Sequence, residues 1–351
     1  MKSRALLVVM GLILPLLVNG QDNSVILEEF IYDEAPFKSC HASTIAETKS
    51  GIFAAWFGGT HEKHVDVEIW ASRKYGKDWT DPISIAKGIY DGNRYPCWNP
   101  VLYYSEANRL YLFYKVGPSP TEWWGMLKYS DDDGHTWSQE SRLPDGIIGP
   151  VKNKPVPLGN NTLLCPSSTE HDGWKVQMEV YDLKEDSWAM PMFVHHNSSY
   201  NVIQPTIFIT DNGFKILCRS KEGYIISSES NDRGNSWGNF KSTALPNPNS
   251  GLDGVTMNNG KHIIVYNHSG TPEGEWGGKR YPLNIAVSAN AEIWKAGIVL
   301  ERNEGEYSYP AVIQSADGLL HILYTWNRLK IKHVVVNPAL LPEMNIEVWE
   351  Q

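Results

Sequence analysis

Three features of this 351-residue sequence predict an all-β chain folded as a six-bladed β-propeller. The first is composition: 14 Trp and 17 Tyr suit pleated surfaces, while 29 Gly and 21 Pro punctuate the chain with tight turns. With 42% hydrophobic against 20% charged residues, a sizeable core can form, and disorder, collagen and coiled coil are excluded. The second feature is an internal motif, and the third is the spacing at which that motif returns.

Ser130-Asp131-Asp132-Asp133-Gly134-His135-Thr136-Trp137 and Ser230-Asn231-Asp232-Arg233-Gly234-Asn235-Ser236-Trp237 both match S-x-D-x-G-x-x-W in full. The pattern reads as a hairpin turn: Asp accepts backbone N–H bonds, Gly takes the positive φ, and Trp tucks back over the turn. Weaker copies keep Ser72, Gly76 and Trp79, then Tyr181 to Trp188, then Ser288 to Trp294. Starts at 72, 130, 181, 230 and 288 have a mean spacing of 54 residues, so the chain from Gln21 to Gln351 holds about six units. Each unit is long enough for a four-stranded blade.

The elements follow from this frame. Residues 1–20 read as an export signal, with Lys2 and Arg4 ahead of the apolar run Ala5 to Val18 and small Gly20 as cleavage point. The expected mature chain, 21–351, is then a single propeller that is secreted or periplasmic, with no membrane span. Strands are expected at Arg109–Lys115, Val202–Thr210, His262–Tyr266 and Leu319–Tyr324, with turns at Asp211-Asn212-Gly213 and Asp317-Gly318. No segment keeps a helical period over three turns. Ser24–Tyr32 is expected to close the ring by pairing with the last strands near His333–Val336.

Without Lys2 and Arg4, 29 basic residues face 40 acidic ones, a formal charge of −11 that argues against nucleic acid or an anionic membrane as partner. Cys40, Cys97, Cys165 and Cys218 lie too far apart for a zinc motif, and neither metal nor cofactor is expected. Glycosylation sequons stand at Asn160, Asn197 and Asn267.

With its two complete repeats, the chain resembles the sialidase (neuraminidase) superfamily, whose Asp-box repeats are these turns. Further segments fall in family order: His41-Ala-Ser-Thr-Ile, Trp56-Phe-Gly-Gly-Thr through Asp66, Asn99-Pro-Val-Leu, Gln204-Pro-Thr and Glu306-Tyr-Ser-Tyr-Pro310. The resemblance implies an arginine triad gripping a substrate carboxylate, an Asp acid/base on a loop, and a Tyr nucleophile activated by Glu. A sialic acid carries its carboxylate on the anomeric carbon, which repels a carboxylate nucleophile, so neutral Tyr serves instead.

Carried over residue by residue, the resemblance makes Asp66 the acid/base, with Glu62 as its neighbour and possible substitute. Tyr307 matches the nucleophile, with Tyr309 close enough to compete. Arg219 and Arg280 match the second and third arginines and offer planar pairing to a carboxylate. Two positions depart from the pattern. Cys40-His41 stands where the first arginine belongs, and an imidazole can donate or exchange a proton but cannot fork onto a carboxylate. Gln204 stands where Glu should activate Tyr, and a carboxamide takes no proton at neutral pH. Arg94 is a candidate substitute cation, and Glu170, Glu222 and Glu306 are candidate bases.

Trp98, Trp123, Trp124, Trp276 and Trp326 fall where sugar platforms would sit. Lys152, Lys154 and Ser167 to Glu170 are candidate contacts to hydroxyls. The sequence thus points to a monomeric exo-glycosidase that removes a terminal acidic sugar from an oligosaccharide with retention. Two alternatives stay open: a propeller lyase abstracting the proton α to a uronate carboxylate, and a glycan-binding propeller without turnover.

Overall fold

The computed structural model describes residues 23–159, 161–194 and 199–349. The expected signal at 1–20 and the sequons at Asn160 and Asn197 lie outside them. Six antiparallel sheets follow one another along the chain, each with its first strand innermost. The inner strands are Ser39–Thr48, Cys97–Tyr104, Val156–Gly159, Val202–Thr210, Asp253–Thr256 and Tyr307–Gln314. Helix is limited, among the described residues, to the short 3₁₀ turns Pro338–Leu340 and Ile346–Trp349. No helix among them is long and apolar enough to cross a membrane.

The ring closes as expected. Val25–Phe30 forms the outer strand of the sixth blade, pairing antiparallel with Lys330–Val336 through Leu27↔Val335 and Glu29↔His333. Joining both chain ends in one sheet removes two free edges. Behind this seam, Glu29 Oε1 accepts hydrogen bonds from Lys74 Nζ at 2.6 Å and Trp79 Nε1 at 2.8 Å, and lies 2.8 Å from His333 Nδ1. His333 Nε2 lies 3.0 Å from His321 Nδ1. The first and last blades are thereby stitched together by half-buried polar groups around the buried His333.

The Asp-box turns connect the third and fourth strands of the second and fourth blades. Asp132 Oδ1 accepts from Ser130 Oγ and from Thr136 N at 2.8 Å, and Asp232 repeats the same pattern with Ser230 and Ser236. Gly134 and Gly234 hold φ of 86° and 87°, a region a Cβ disfavours. These internal bonds hold both carboxyls down at about 2. Trp137 reaches back against Phe53 of the first blade, with centroids 5.9 Å apart. In the third blade, Tyr181 stacks on Trp188 instead, centroids 4.5 Å apart, so aromatic packing replaces the carboxylate turn.

All four cysteines are free and buried. Asn267 is fully buried, its amide donating to Pro282 O at 3.1 Å and Tyr307 O at 2.9 Å, so its sequon is closed to modification in the folded chain.

Candidate active site

Four inner strands begin with the same device. Ala42, Asn99, Gln204 and Tyr309 occupy the left-handed region at φ of 57°, 36°, 55° and 52°, and beside each the strand register slips. A bulge of this kind kinks a strand and re-aims its side chains. Left-handed residues with a Cβ persist where the surroundings fix them. These bulges lie at one rim of the ring, which also carries the loops between second and third strands: residues 60–67, 117–123, 170–174, 221–223, 268–282 and 327–329.

Strict alternation along Tyr307–Gln314 would put Tyr307 and Tyr309 on one face. The left-handed turn at Tyr309 breaks that period and separates them. Tyr307 packs at the seam of the fifth and sixth blades with Leu283, Ile285 and Trp326, and burial together with Glu301 raises its phenol. Tyr309 turns to the rim, where its Oη accepts hydrogen bonds from Arg219 Nη1 at 2.8 Å and Gln204 Nε2 at 3.1 Å.

Arg219 is the penultimate residue of the second strand of the fourth blade and is 4% exposed. Besides Tyr309 it donates to Gln204 Oε1 at 3.3 Å and to Asn249 Oδ1 at 2.8 Å. Its guanidinium carbon lies 5.3 Å from the Trp174 ring and 5.6 Å from that of Trp276. Such faces favour a cation. Glu170 accepts from Trp174 Nε1 at 2.9 Å, and burial raises its carboxyl despite the nearby Arg219.

His41 is buried, with its ring centroid 4.2 Å from that of Tyr309 and Nδ1 3.0 Å from Thr325 Oγ1. Burial, then Arg328, Arg280, Arg219 and Lys152, hold its pKa well below the ordinary imidazole value. It is therefore neutral. Arg280 Nη1 is buried and has no hydrogen-bond partner among the described residues. Burial and neighbouring Arg219 depress its pKa, so the guanidinium is both desolvated and repelled.

Asp66 sits on the loop at 60–67, folded back on its own backbone. Its carboxylate accepts from Thr60 N at 2.9 Å and Thr60 Oγ1 at 2.6 Å, with His64 Nδ1 2.8 Å away. Despite partial burial, these bonds pull it down to about 2, so it is ionised in this conformation. Glu62, on the same loop, pairs with Arg328.

Arg94 stays outside this cluster, with Nη2 2.6 Å from Glu68 Oε1 and 3.4 Å from the Asp66 carbonyl. The extra cation at the rim is instead Arg328, in the two-residue hairpin turn between Trp326 and Leu329. Sequence reasoning passed over it, although that turn is a hairpin signal and its rim is fixed by blade order. Asn249 and Trp174 were missed too. Lys152 is buried and donates to Asn153 Oδ1 and Leu252 O at 2.9 Å and to Pro310 O at 2.5 Å. Burial pushes it down to about 7. Ser167 is likewise taken up internally, donating to buried Glu179 at 2.9 Å. No cluster suited to a metal ion occurs among the described residues.

The model of the BNR repeat-like domain matches residues 50–322. The chain belongs to that family. Its fold is also similar to several solved structures. A protein of unknown function from Dyadobacter fermentans superposes with a TM-score of 0.71 at 15% identity, covering 89% of this chain and 98% of that one. The intramolecular trans-sialidase from Ruminococcus gnavus gives 0.69 at 14%, covering 91% and 99%. A variant of the NanB sialidase from Streptococcus pneumoniae gives 0.68 at 11%, covering 91% and 71%. No curated protein matches the chain. In this BNR repeat-like chain the propeller, shared in fold with those structures, carries a central cluster in which Gln204 and His41 face Tyr309.

Proposed function

We propose that this protein is an exported glycosidase acting on a glycan with a terminal acidic sugar. The observation that carries the reading is Arg280: a buried, unpartnered guanidinium nitrogen beside a second arginine, which an anionic ligand group would satisfy. Arg219 and Arg280 hold the carboxylate, and Tyr309 takes the nucleophile's place in preference to Tyr307. Its oxygen attacks the anomeric carbon as the phenol proton passes to water, the glycosidic C–O bond breaks with its electron pair going to the departing oxygen, and a second water later cleaves the Tyr309–sugar bond, restoring the phenol and releasing the sugar with retained configuration. Asp66 protonates the departing oxygen, which requires its carboxyl to leave Thr60 and gain a proton as the substrate covers the loop. Residues 1–20 serve as the export signal, and the mature chain acts as a monomer without cofactor.

A second reading has its own support. Among the described residues no carboxylate is hydrogen-bonded to Tyr309, and neutral His41 among four cations is a poor proton acceptor. In a lyase, Arg219 and Gln204 would neutralise a uronate carboxylate while Tyr309 takes the α proton. One experiment tests both readings: the purified mature chain against sialyl, Kdo-type and uronate-capped oligosaccharides, with Asp66→Ala and Tyr309→Phe alongside and ultraviolet absorbance followed. Free acidic sugar, lost in both variants, upholds the glycosidase. Unsaturated, absorbing product replaces it with the lyase, and binding without product leaves a glycan-binding propeller.

A further inference from the structure

Arg328 differs from the other two guanidiniums at the rim in already holding carboxylate partners. Its Nε lies 3.0 Å from Glu306 Oε1 and 3.1 Å from Oε2, and its Nη1 contacts Glu62 Oε2. Both carboxylates and the arginine are about one third exposed. The turn that carries Arg328 is rigidly seated. Cys40 N donates to Arg328 O at 2.8 Å, and Glu306 N donates to Asn327 Oδ1 at 2.8 Å. Ser308 Oγ also donates to Glu306 at 3.2 Å. One end of the Arg328 bridge is thus anchored to the first and sixth blades, and the other end is Glu62, four residues before Asp66 on a surface loop.

The loop has few other ties to its surroundings. Within 60–67 the described hydrogen bonds are largely internal: Asp66 to Thr60 and His64, His64 N to His61 O at 3.1 Å, and His61 Nδ1 to Glu62 O at 2.8 Å. Val65 is 51% exposed, so apolar packing does not fix the tip at 61–65, whereas Val67 at the end of the loop is buried in the core and its carbonyl accepts from Cys97 N at 3.0 Å. A loop folded on itself moves as a unit unless an outside contact restrains it. Arg94, reaching the Asp66 carbonyl at 3.4 Å, is a long contact from an exposed side chain. For the tip at 61–65, the bridge to Arg328 is the external restraint among the described contacts.

We infer that Glu62–Arg328–Glu306 is a latch that holds the Asp66 loop over the rim, and that Arg328 is a positioning residue for the proton donor. The loop restraint stands on the contacts alone, while the role toward proton donation rests on the function proposed above.

The test uses the mature protein with Glu62→Gln, Arg328→Ala and Arg328→Lys. Amide exchange of residues 60–67 should quicken about tenfold or more in Glu62→Gln and Arg328→Ala, with the core strands unchanged. On a natural oligosaccharide, whose leaving group needs a proton, kcat should fall about tenfold or more with little change in KM. On an activated aryl glycoside of the same sugar, which departs unprotonated, kcat should change less than about twofold. Arg328→Lys, able to meet one carboxylate but not to fork between two, should lie between. Unchanged exchange at 60–67 overturns the latch. Equal losses on both substrates overturn the positioning role. If the wild type turns over neither substrate, the proposed function fails, and the exchange measurement still decides the latch. Should Arg328→Ala fold poorly, Glu62→Gln on its exposed loop answers alone.

Discussion

Replacing Gln204 by Glu separates the two chemistries sharply. The carboxamide is 2% exposed and touches both partners that matter, donating to Tyr309 Oη at 3.1 Å and accepting from Arg219 at 3.3 Å. A carboxylate of the same shape would pair with Arg219 and accept the Tyr309 proton as that oxygen attacks. General-base help of this kind contributes about 100- to 10,000-fold, or about 3–5 kcal/mol on the barrier. It also adds a negative charge on the far side of Arg219 from the substrate's carboxylate. At a separation of about 6 Å and an effective dielectric near 20, the repulsion is about 3 kcal/mol, a factor of about 100 in binding. In a glycosidase the variant should therefore raise both kcat and KM by about 100-fold, leaving kcat/KM nearly unchanged. Initial-rate kinetics on the sugar that the panel identifies, with affinity measured separately in Tyr309→Phe, checks this. A fall in kcat would refute the need for a base and favour the lyase, in which Gln204 must face the uronate as a neutral donor.

Tyr309→Phe should abolish turnover, whereas Tyr307→Phe should keep kcat within about threefold and shift unfolding stability by less than about 1 kcal/mol, as denaturant titration would show. Trp276 is 61% exposed beside Arg219, so Trp276→Ala should weaken glycan affinity by about 1–2 kcal/mol in calorimetry without lowering the melting temperature. At the ring seam, burial and His333 push His321 down to about 4, below its unfolded value. The unfolded chain then binds more protons between about pH 6.5 and 4, so stability is full above that window and falls through it by up to ~3 kcal/mol; His321→Gln should flatten this slope in denaturation midpoints, and an unchanged slope would place the titration elsewhere.

The fold was legible because the Asp-box turn is local. Ser130, Asp132 and Thr136 bond within seven residues, so the sequence records the whole unit, and its recurrence counts the blades. The closing strand was legible for a related reason, as an unpaired strand at one end needs an edge at the other. Parts of the central cluster could be read from ordered segments, including Arg219 and Gln204 at the fourth blade. The choice between Tyr307 and Tyr309 could not, because it hangs on one left-handed residue that reverses the strand's period. Arg328 was hidden because its partners are 22 and 266 residues away. The Asn267 sequon was misleading because a three-residue pattern carries no record of burial.

The bulges that build the rim cost about 1–3 kcal/mol each, so the surrounding structure must hold them. The connector at 151–154 supplies that hold from inside. Asn153 Nδ2 donates to Gln204 O at 3.1 Å and Pro205 O at 3.0 Å, while Lys152 donates to Pro310 O beside Tyr309. Asp253 accepts from Val312 N at 2.9 Å and from Thr206 Oγ1 at 3.1 Å, each just beyond a bulge. The backbone positions of Gln204 and Tyr309 are therefore set by buried groups on other segments, and side chains can change at those positions without rebuilding the rim. Exchange at such a fixed position alters the chemistry, as Gln204→Glu would. On the function proposed above, the loops at 60–67, 170–174 and 268–282, held by contacts such as the Arg328 bridge and the Trp174–Trp276 pair, would govern which glycan reaches it.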